Sequence, residues 1–248
     1  MNYKEYSPTV LLEQYIDTYW VSGSSDYATE SRILPDGYVD LIFDIDKDSY
    51  TFWDNSIRVS GMMTTYRNVV SKENSETFGI RFKTGQFNAI SNIPLSEIKN
   101  KTINASDIIP KCDNFIYEEL ISKKNHRDKL QFIEEFLMKL INCSNSNKNS
   151  LVLSVCSSIS SNFQSIDLVK IAQNHFISLR QLERRFKATV GVTMKEYHSI
   201  VRFSKTVESI SNNPTKSLLN TAFDNGYFDH SHLTKEINRM AGINPSEF

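Results

Sequence analysis

Ser178-Leu179-Arg180-Gln181-Leu182-Glu183-Arg184-Arg185-Phe186-Lys187 sets Leu179, Leu182 and Phe186 three and four residues apart, the spacing of one buried stripe on an α-helix. Ser178 stands where an N-cap belongs, its hydroxyl able to accept from a free N–H of the first turn. Arg180, Gln181, Glu183, Arg184 and Lys187 fall on the other faces. Just upstream, Ile166 to His175 has the pattern of another helix, with Asp167 as cap and Leu168, Ile171 and Ala172 turned inward. A helix, a short turn and a second helix rich in arginine is the arrangement that places the second helix in a DNA major groove.

Taken alone, an amphipathic helix with several arginines reads equally well as a solvated surface. A repeat breaks the tie. About 50 residues on, Thr221 to Tyr227 and then Asp229 to Ile237 reproduce the plan: Asp229 stands for Ser178, Leu233 for Leu182, Ile237 for Phe186, Gly242 for Gly191 and Phe248 for Tyr197. The second turn holds one extra residue. Two such units, each closed by glycine, an apolar residue and an aromatic one, do not arise from composition alone.

The last hundred residues, about two-fifths of the chain, resemble the DNA-binding domain of AraC-family transcription regulators. The resemblance is carried by Ser178 with Arg180 to Arg184, Phe186-Lys187, Gly191-Val192-Thr193, Glu196-Tyr197, Gly226 to Asp229, Ser231-His232-Leu233 and Ala241 to Phe248. Phe176 stands where the family usually has a glycine in the first turn, and Met194 where a proline usually follows Gly-Val-Thr. The resemblance implies a transcription regulator that binds double-stranded DNA, and that touches RNA polymerase as well if it activates. The N-terminal stretches Leu34 to Gly37 with Asp40-Leu41-Ile42, and Gly79 to Lys83, are similar to the cupin-like sensor or dimerisation modules of one AraC-family subgroup.

The side chains give the reading its chemistry. Arg180 and Arg184 each offer the paired donors that suit guanine O6 and N7, Glu183 can accept from cytosine N4, and Gln181 lies beside them. In the second unit Ser231, Thr234 and Lys235 occupy the positions of Arg180, Glu183 and Arg184, flanked by His230 and His232. These are shorter or weaker readers, so the first helix is expected to select bases and the second to hold phosphates. His230 and His232, at i and i+2, do not share a helix face, and no metal site is expected from them.

The expected fold is α+β with separate parts. Residues 1–141 form a β-rich sensor or dimerisation domain, a small antiparallel cupin-like barrel with a helical pair at about 103–141. Residues 142–150, polar and without periodicity, are the linker, and 151–248 the double helix-turn-helix domain. Alternation at Val39 to Asp46 after the turn Pro35-Asp36-Gly37 marks one strand; others are expected at Tyr19–Val21, Tyr50–Trp53, Ile57–Gly61 and Phe78–Phe82. Trp20, Phe43, Trp53, Arg81 and Phe82 could line a pocket for a small-molecule effector, although aromatics in a barrel more often just fill its core. The helical pair lies against the barrel or pairs two chains into a homodimer; both readings stay open.

No enzyme is expected. All five histidines come after residue 125, so the barrel has no imidazoles for a metal, and no nucleophile elbow or phosphate loop is present. Asp44, Asp46 and Asp48 lack the glycine and closing glutamate of a calcium loop. No cofactor is implied. Cys112, Cys143 and Cys156 have no metal-like spacing and read as reduced structural thiols. No apolar run spans a membrane and Met1 to Val10 is no signal segment, so the expected location is the cytoplasm, on the nucleoid. The net charge of −1 divides into −4 before Leu151 and +3 from it onward, the sign that phosphate contact requires of the repeat-bearing half. An effector-free regulator, whose N-terminal half binds only another protein, is the alternative.

Overall fold

The computed structural model describes residues 2–23, 27–46, 56–91, 93–142, 150–213 and 215–248. In its first part eight strands occur: β1 (Asn2–Tyr6), β2 (Ile16–Gly23), β3 (Thr29–Ile33), β4 (Val39–Asp46), β5 (Ile57–Ser60), β6 (Arg67–Ser71), β7 (Ser75–Phe82) and β8 (Thr102–Asn104). Six form one antiparallel sheet in the order β1-β2-β7-β4-β5-β8, and β3 pairs with β6 as a separate two-stranded ribbon. The expected β domain is therefore present, but it is not a closed barrel: among the described strands β1 and β8 are edges. The expected strand at Tyr50–Trp53 lies outside the described residues, as do Asp48 and Cys143.

Strict alternation gives the sheet two different faces. On β4, Val39, Leu41, Phe43 and Ile45 are buried, and with Phe78, Ile80 and Phe82 of β7 and Ile57 and Val59 of β5 they make the core face. Against it lie α1 (Asn114–Ser122) and α2 (His126–Asn142), burying Ile116, Tyr117 and Leu120 from the first and Ile133, Phe136, Leu137 and Ile141 from the second. The Tyr117 hydroxyl donates to the Asp44 carbonyl (3.2 Å), and Lys129 pairs with the buried Glu76 (2.6 Å). The helical pair thus lies against the sheet, and it begins later than expected because residues 102–104 extend the sheet. Phe115 of α1 is exposed, whereas Tyr117 is fully buried. Cys112 and Cys156 are buried, and burial pushes both thiols up to about 12, which leaves them unreactive.

The second part is helical: α3 (Ser150–Ser161), α4 (Leu168–Asn174), α5 (Leu179–Val190), α6 (Met194–Asn212), α7 (Leu218–Asp224) and α8 (His230–Ala241). Seven of the nine residues of the expected linker, 143–149, lie outside the described residues. The two halves touch directly. The Asn88 amide donates to the Thr189 carbonyl (3.0 Å), Lys99 pairs with Glu196 (2.5 Å), Arg32 donates to the Ala241 carbonyl (3.1 Å) and Thr65 to that of Arg239 (2.9 Å). Independent orientation of the helical half, which a flexible linker alone suggests, is restricted by these contacts. No helix among the described residues is long and apolar enough to cross a membrane.

Candidate functional sites

Both expected reading helices form, and each is capped at both ends by the residues the repeat singles out. The Ser178 hydroxyl accepts from Gln181 N (3.3 Å), and the Asp229 carboxylate accepts from His232 N (2.7 Å). At the other ends Gly191 (φ +97°) and Gly242 (φ +69°) take the left-handed cap conformation. Leu182, Phe186 and Val190 of α5, and Leu233, Ile237 and Met240 of α8, are buried. The inward stripes leave Arg180, Gln181, Glu183 and Arg184 exposed on α5, and His230, Ser231, His232 and Lys235 exposed on α8. Thr234 is half-buried and its hydroxyl donates to the His230 carbonyl (2.8 Å).

Some of these side chains have local tasks. Gln181 accepts from the Ser178 hydroxyl (3.1 Å), so it completes the cap of its own helix and keeps its amide N–H groups for other partners. The His232 ring lies edge-on to Tyr227 (5.2 Å between centroids) and accepts from Phe228 N (3.5 Å). Arg180, Glu183 and Arg184 carry no such tether among the interactions of the described residues. Those residues contain no group of three or more His, Cys, Asp or Glu placed to hold a metal.

Arg202 of α6, buried, grips Glu236 of α8 through both carboxylate oxygens (2.9 and 2.7 Å) and lies over the Tyr227 ring (4.4 Å). Tyr227 in turn donates to Glu236 (3.0 Å). Charged residues in a helical pattern read as exposed, so Arg202 and Glu236 gave no signal. On α6 itself Met194, Tyr197, His198, Ile200, Phe203, Thr206 and Ile210 are buried, while Val201, Ser204 and Val207 are half-buried. The joining helix is covered from two sides, by the first unit and by the second.

A second site lies on the other face of the large sheet. There the residues alternating with the core, Asp40, Ile42 and Asp44 on β4, Arg81 on β7, and Arg58 and Ser60 on β5, face the ribbon across a cavity of about 520 Å³. Of the groups named as candidate lining, Trp20 and Arg81 line it, Phe43 and Phe82 belong to the opposite core, and Trp53 lies outside the described residues. The Trp20 indole lies flat over Gly79, where a Cβ would come within 1.9 Å of the ring, so only glycine fits beneath it. Arg81 is shared by two carboxylates, Asp36 (3.2 Å) and Asp40 (3.5 Å), and Arg58 pairs with Asp44 (2.5 Å). Burial pushes the Asp40 carboxyl up to about 7, against the opposing pull of Arg81.

Comparison with known proteins finds two family models on separate parts of the chain. A family described as a helix-turn-helix domain matches residues 171–248, and one described as a domain of unknown function (DUF6597) matches residues 4–104. No curated protein matches the sequence. Among solved structures, ToxT from Vibrio cholerae is 13% identical, with a TM-score of 0.46 over 99% of this chain and 96% of its own. A transcriptional regulator with an AraC-type DNA-binding domain from Chromobacterium violaceum is 22% identical, with a TM-score of 0.38 over 42% of this chain and 92% of its own. The C-terminal domain of AraT, a response regulator from Geobacillus stearothermophilus, is 18% identical, with a TM-score of 0.38 over 41% of this chain and 85% of its own.

Proposed function

We propose that this chain, a DNA-binding transcription regulator by its AraC-type helix-turn-helix domain, reads a two-part site with α5 and α8 in successive major grooves of one DNA face. The observation that carries the reading is the pair of capped, cation-bearing helices joined by one buried helix. With 19 residues, α6 spans about 28 Å, close to the roughly 34 Å between successive major grooves. The Arg202–Glu236 clamp fixes α8 to that spacer, so the two helices can be presented at a set separation.

Within the site, Arg180 and Arg184 select guanines, Glu183 accepts from a cytosine and Gln181 has its amide N–H groups for a base or phosphate. On α8, Lys235, His230, Ser231, His232 and Thr234 hold the duplex mainly through phosphates; the local engagement of His232 and Thr234 supports that weaker reading role. Replacing Arg184 by Ala is expected to weaken specific binding by about 1–3 kcal/mol and to relax preference at one base. Scrambling each half-site separately should then cost more at the first than at the second. Equal costs would refute the division of labour.

The N-terminal half modulates this reading through an effector in its cavity, and the alternative is a half that only binds another protein. The direct test selects bound duplexes from a random pool with the full chain at two salt concentrations. Recovery of paired half-sites one helical turn apart, with binding that falls steeply with salt, is the expected result. Absence of any selected sequence would overturn the proposal.

A further inference from the structure

The row of side chains that crosses the cavity face of the large sheet is in strict register. Arg81 stands opposite Asp40, Asp40 opposite Ser60, and Ser60 opposite Thr102. Arg67, entering from the ribbon, donates to the Thr102 hydroxyl and to the Asn100 carbonyl (3.0 Å). Two opposite charges in this row are incompletely matched. Asp40 must share Arg81 with Asp36, and its Oδ1 lies 3.5 Å from the guanidinium, a long contact for a carboxylate among strands. Arg67 has no carboxylate partner among the ion pairs of the described residues, only neutral acceptors. Buried or half-buried ionic and polar groups left this way are costly unless a bound partner satisfies them.

We propose that the cavity binds a small zwitterion of dipeptide size, its ammonium group on Asp40 and its carboxylate on Arg67, with an apolar body over Trp20. The spacing supports that size. Asp40 lies on β4 and Arg67 is tied to β8, two strands away, which is about 10 Å between strand axes before the side chains reach inward. A simple cation satisfies Asp40 and leaves Arg67 unmatched, while a simple anion satisfies Arg67 and leaves Asp40 with only its shared hold on Arg81. The apolar residues of the wall, Ile33, Ile42 and Val69, together with the flat indole, suit an aliphatic or aromatic middle.

The site deepens the effector reading, because its roof is the piece that holds the second reading helix. Ser31, Ile33, Arg67 and Val69 of the ribbon face the cavity. From the same ribbon and the loop before it, Arg32 donates to the Ala241 carbonyl at the end of α8 and stacks over Tyr66 (4.8 Å), whose ring packs on Gly242. A two-stranded ribbon is only marginally stable by itself, so its seat depends on what fills the space below it.

Isothermal titration of the full chain with alanyl-leucine, its N-acetyl derivative and its C-terminal amide tests the proposal without DNA. The free dipeptide is expected to bind, and blocking either end to weaken binding by tenfold or more. Asp40→Asn should weaken the free dipeptide but leave the N-acetyl form unchanged, and Arg67→Gln should do the same for the amide, with thermal unfolding showing that both variants fold. Equal binding of blocked and free forms, or no binding by any of the three compounds, would overturn the assignment. DNA selection by the same preparation reports separately on the regulator reading, so either idea can fail while the other stands.

Discussion

Phe176 occupies a backbone position that its counterpart in the second unit gives to glycine. Its φ is +52°, that of Gly226 is +74°, and the turns share the hydrogen bond from Ile177 N to the Ala172 carbonyl (3.2 Å) or from Tyr227 N to that of Ala222 (2.9 Å). A side chain in the left-handed region costs about 1–2 kcal/mol, and a glycine returns about 0.5–1 of that through its freer unfolded chain. Phe176→Gly should therefore stabilise the protein by up to about 1 kcal/mol, seen as a higher midpoint in thermal unfolding. Gly226→Ala should do the reverse, by about 1–3 kcal/mol, because its Cβ would meet the Gln164 carbonyl oxygen at 2.2 Å. Asp40 gives a pH-dependent test. Its carboxyl, held up near 7 mainly by burial, keeps a proton when folded that the unfolded chain has already released. Stability should fall as pH rises from about 4 to about 7. Asp36, Arg81, Trp20 and Ser60 face it and are unchanged in Asp40→Asn, which should match the parent near pH 3.5 and exceed it in midpoint at pH 8. A variant no more stable at pH 8 would contradict a buried Asp40 whose ionisation costs stability.

At the scale of elements, the clamp between α6 and α8 is the contact whose loss should matter most. Glu236→Ala leaves the Arg202 guanidinium buried against Tyr227 with no carboxylate, and removing one partner of a buried ion pair costs about 3–5 kcal/mol. Denaturant unfolding should show that loss, and a change under 1 kcal/mol would mean that the pair is wetter than its geometry indicates. The same contact marks the limit of the sequence. Leu182, Phe186, Leu233 and Ile237 were legible because apolar stripes advertise burial, and Ser178, Asp229, Gly191 and Gly242 because caps have chemical requirements. A charged pair meeting between distant helices has no local signature. The polar residues of β4 were legible as one face of a strand, but period two does not tell a solvated face from one roofed by a ribbon. That ribbon was missed because β3 (TESRI) and β6 (RNVVS) are short and mostly polar, without a clean apolar alternation.

In the whole molecule, the N-terminal half holds both proposed reading helices by their C-terminal ends, and among the described residues no hydrogen bond or ion pair ties it to their N-terminal ends. Gly191 after α5 packs on the Leu95 backbone, where a Cβ would lie 3.0 Å from the carbonyl oxygen, and Gly242 after α8 packs on the Tyr66 ring. The grip on the first unit is backed by Asn88–Thr189 and Lys99–Glu196, and it rests on the turn at Leu95–Glu97, away from the ribbon. The grip on the second runs through Arg32, Thr65 and Tyr66, next to the cavity roof. The contacts of the second unit therefore adjoin the cavity roof and those of the first do not, so a ligand in the cavity, as proposed, would act on α8 first. Arg32→Ala combined with Tyr66→Ala should loosen α8 while sparing α5. Amide exchange should quicken in the last turn of α8, and affinity should become less sensitive to the second half-site while its dependence on the first is unchanged. If exchange rises equally in both helices, or if the first half-site loses its weight as well, the halves are coupled as one block and the ribbon has no separate hold on the second reader.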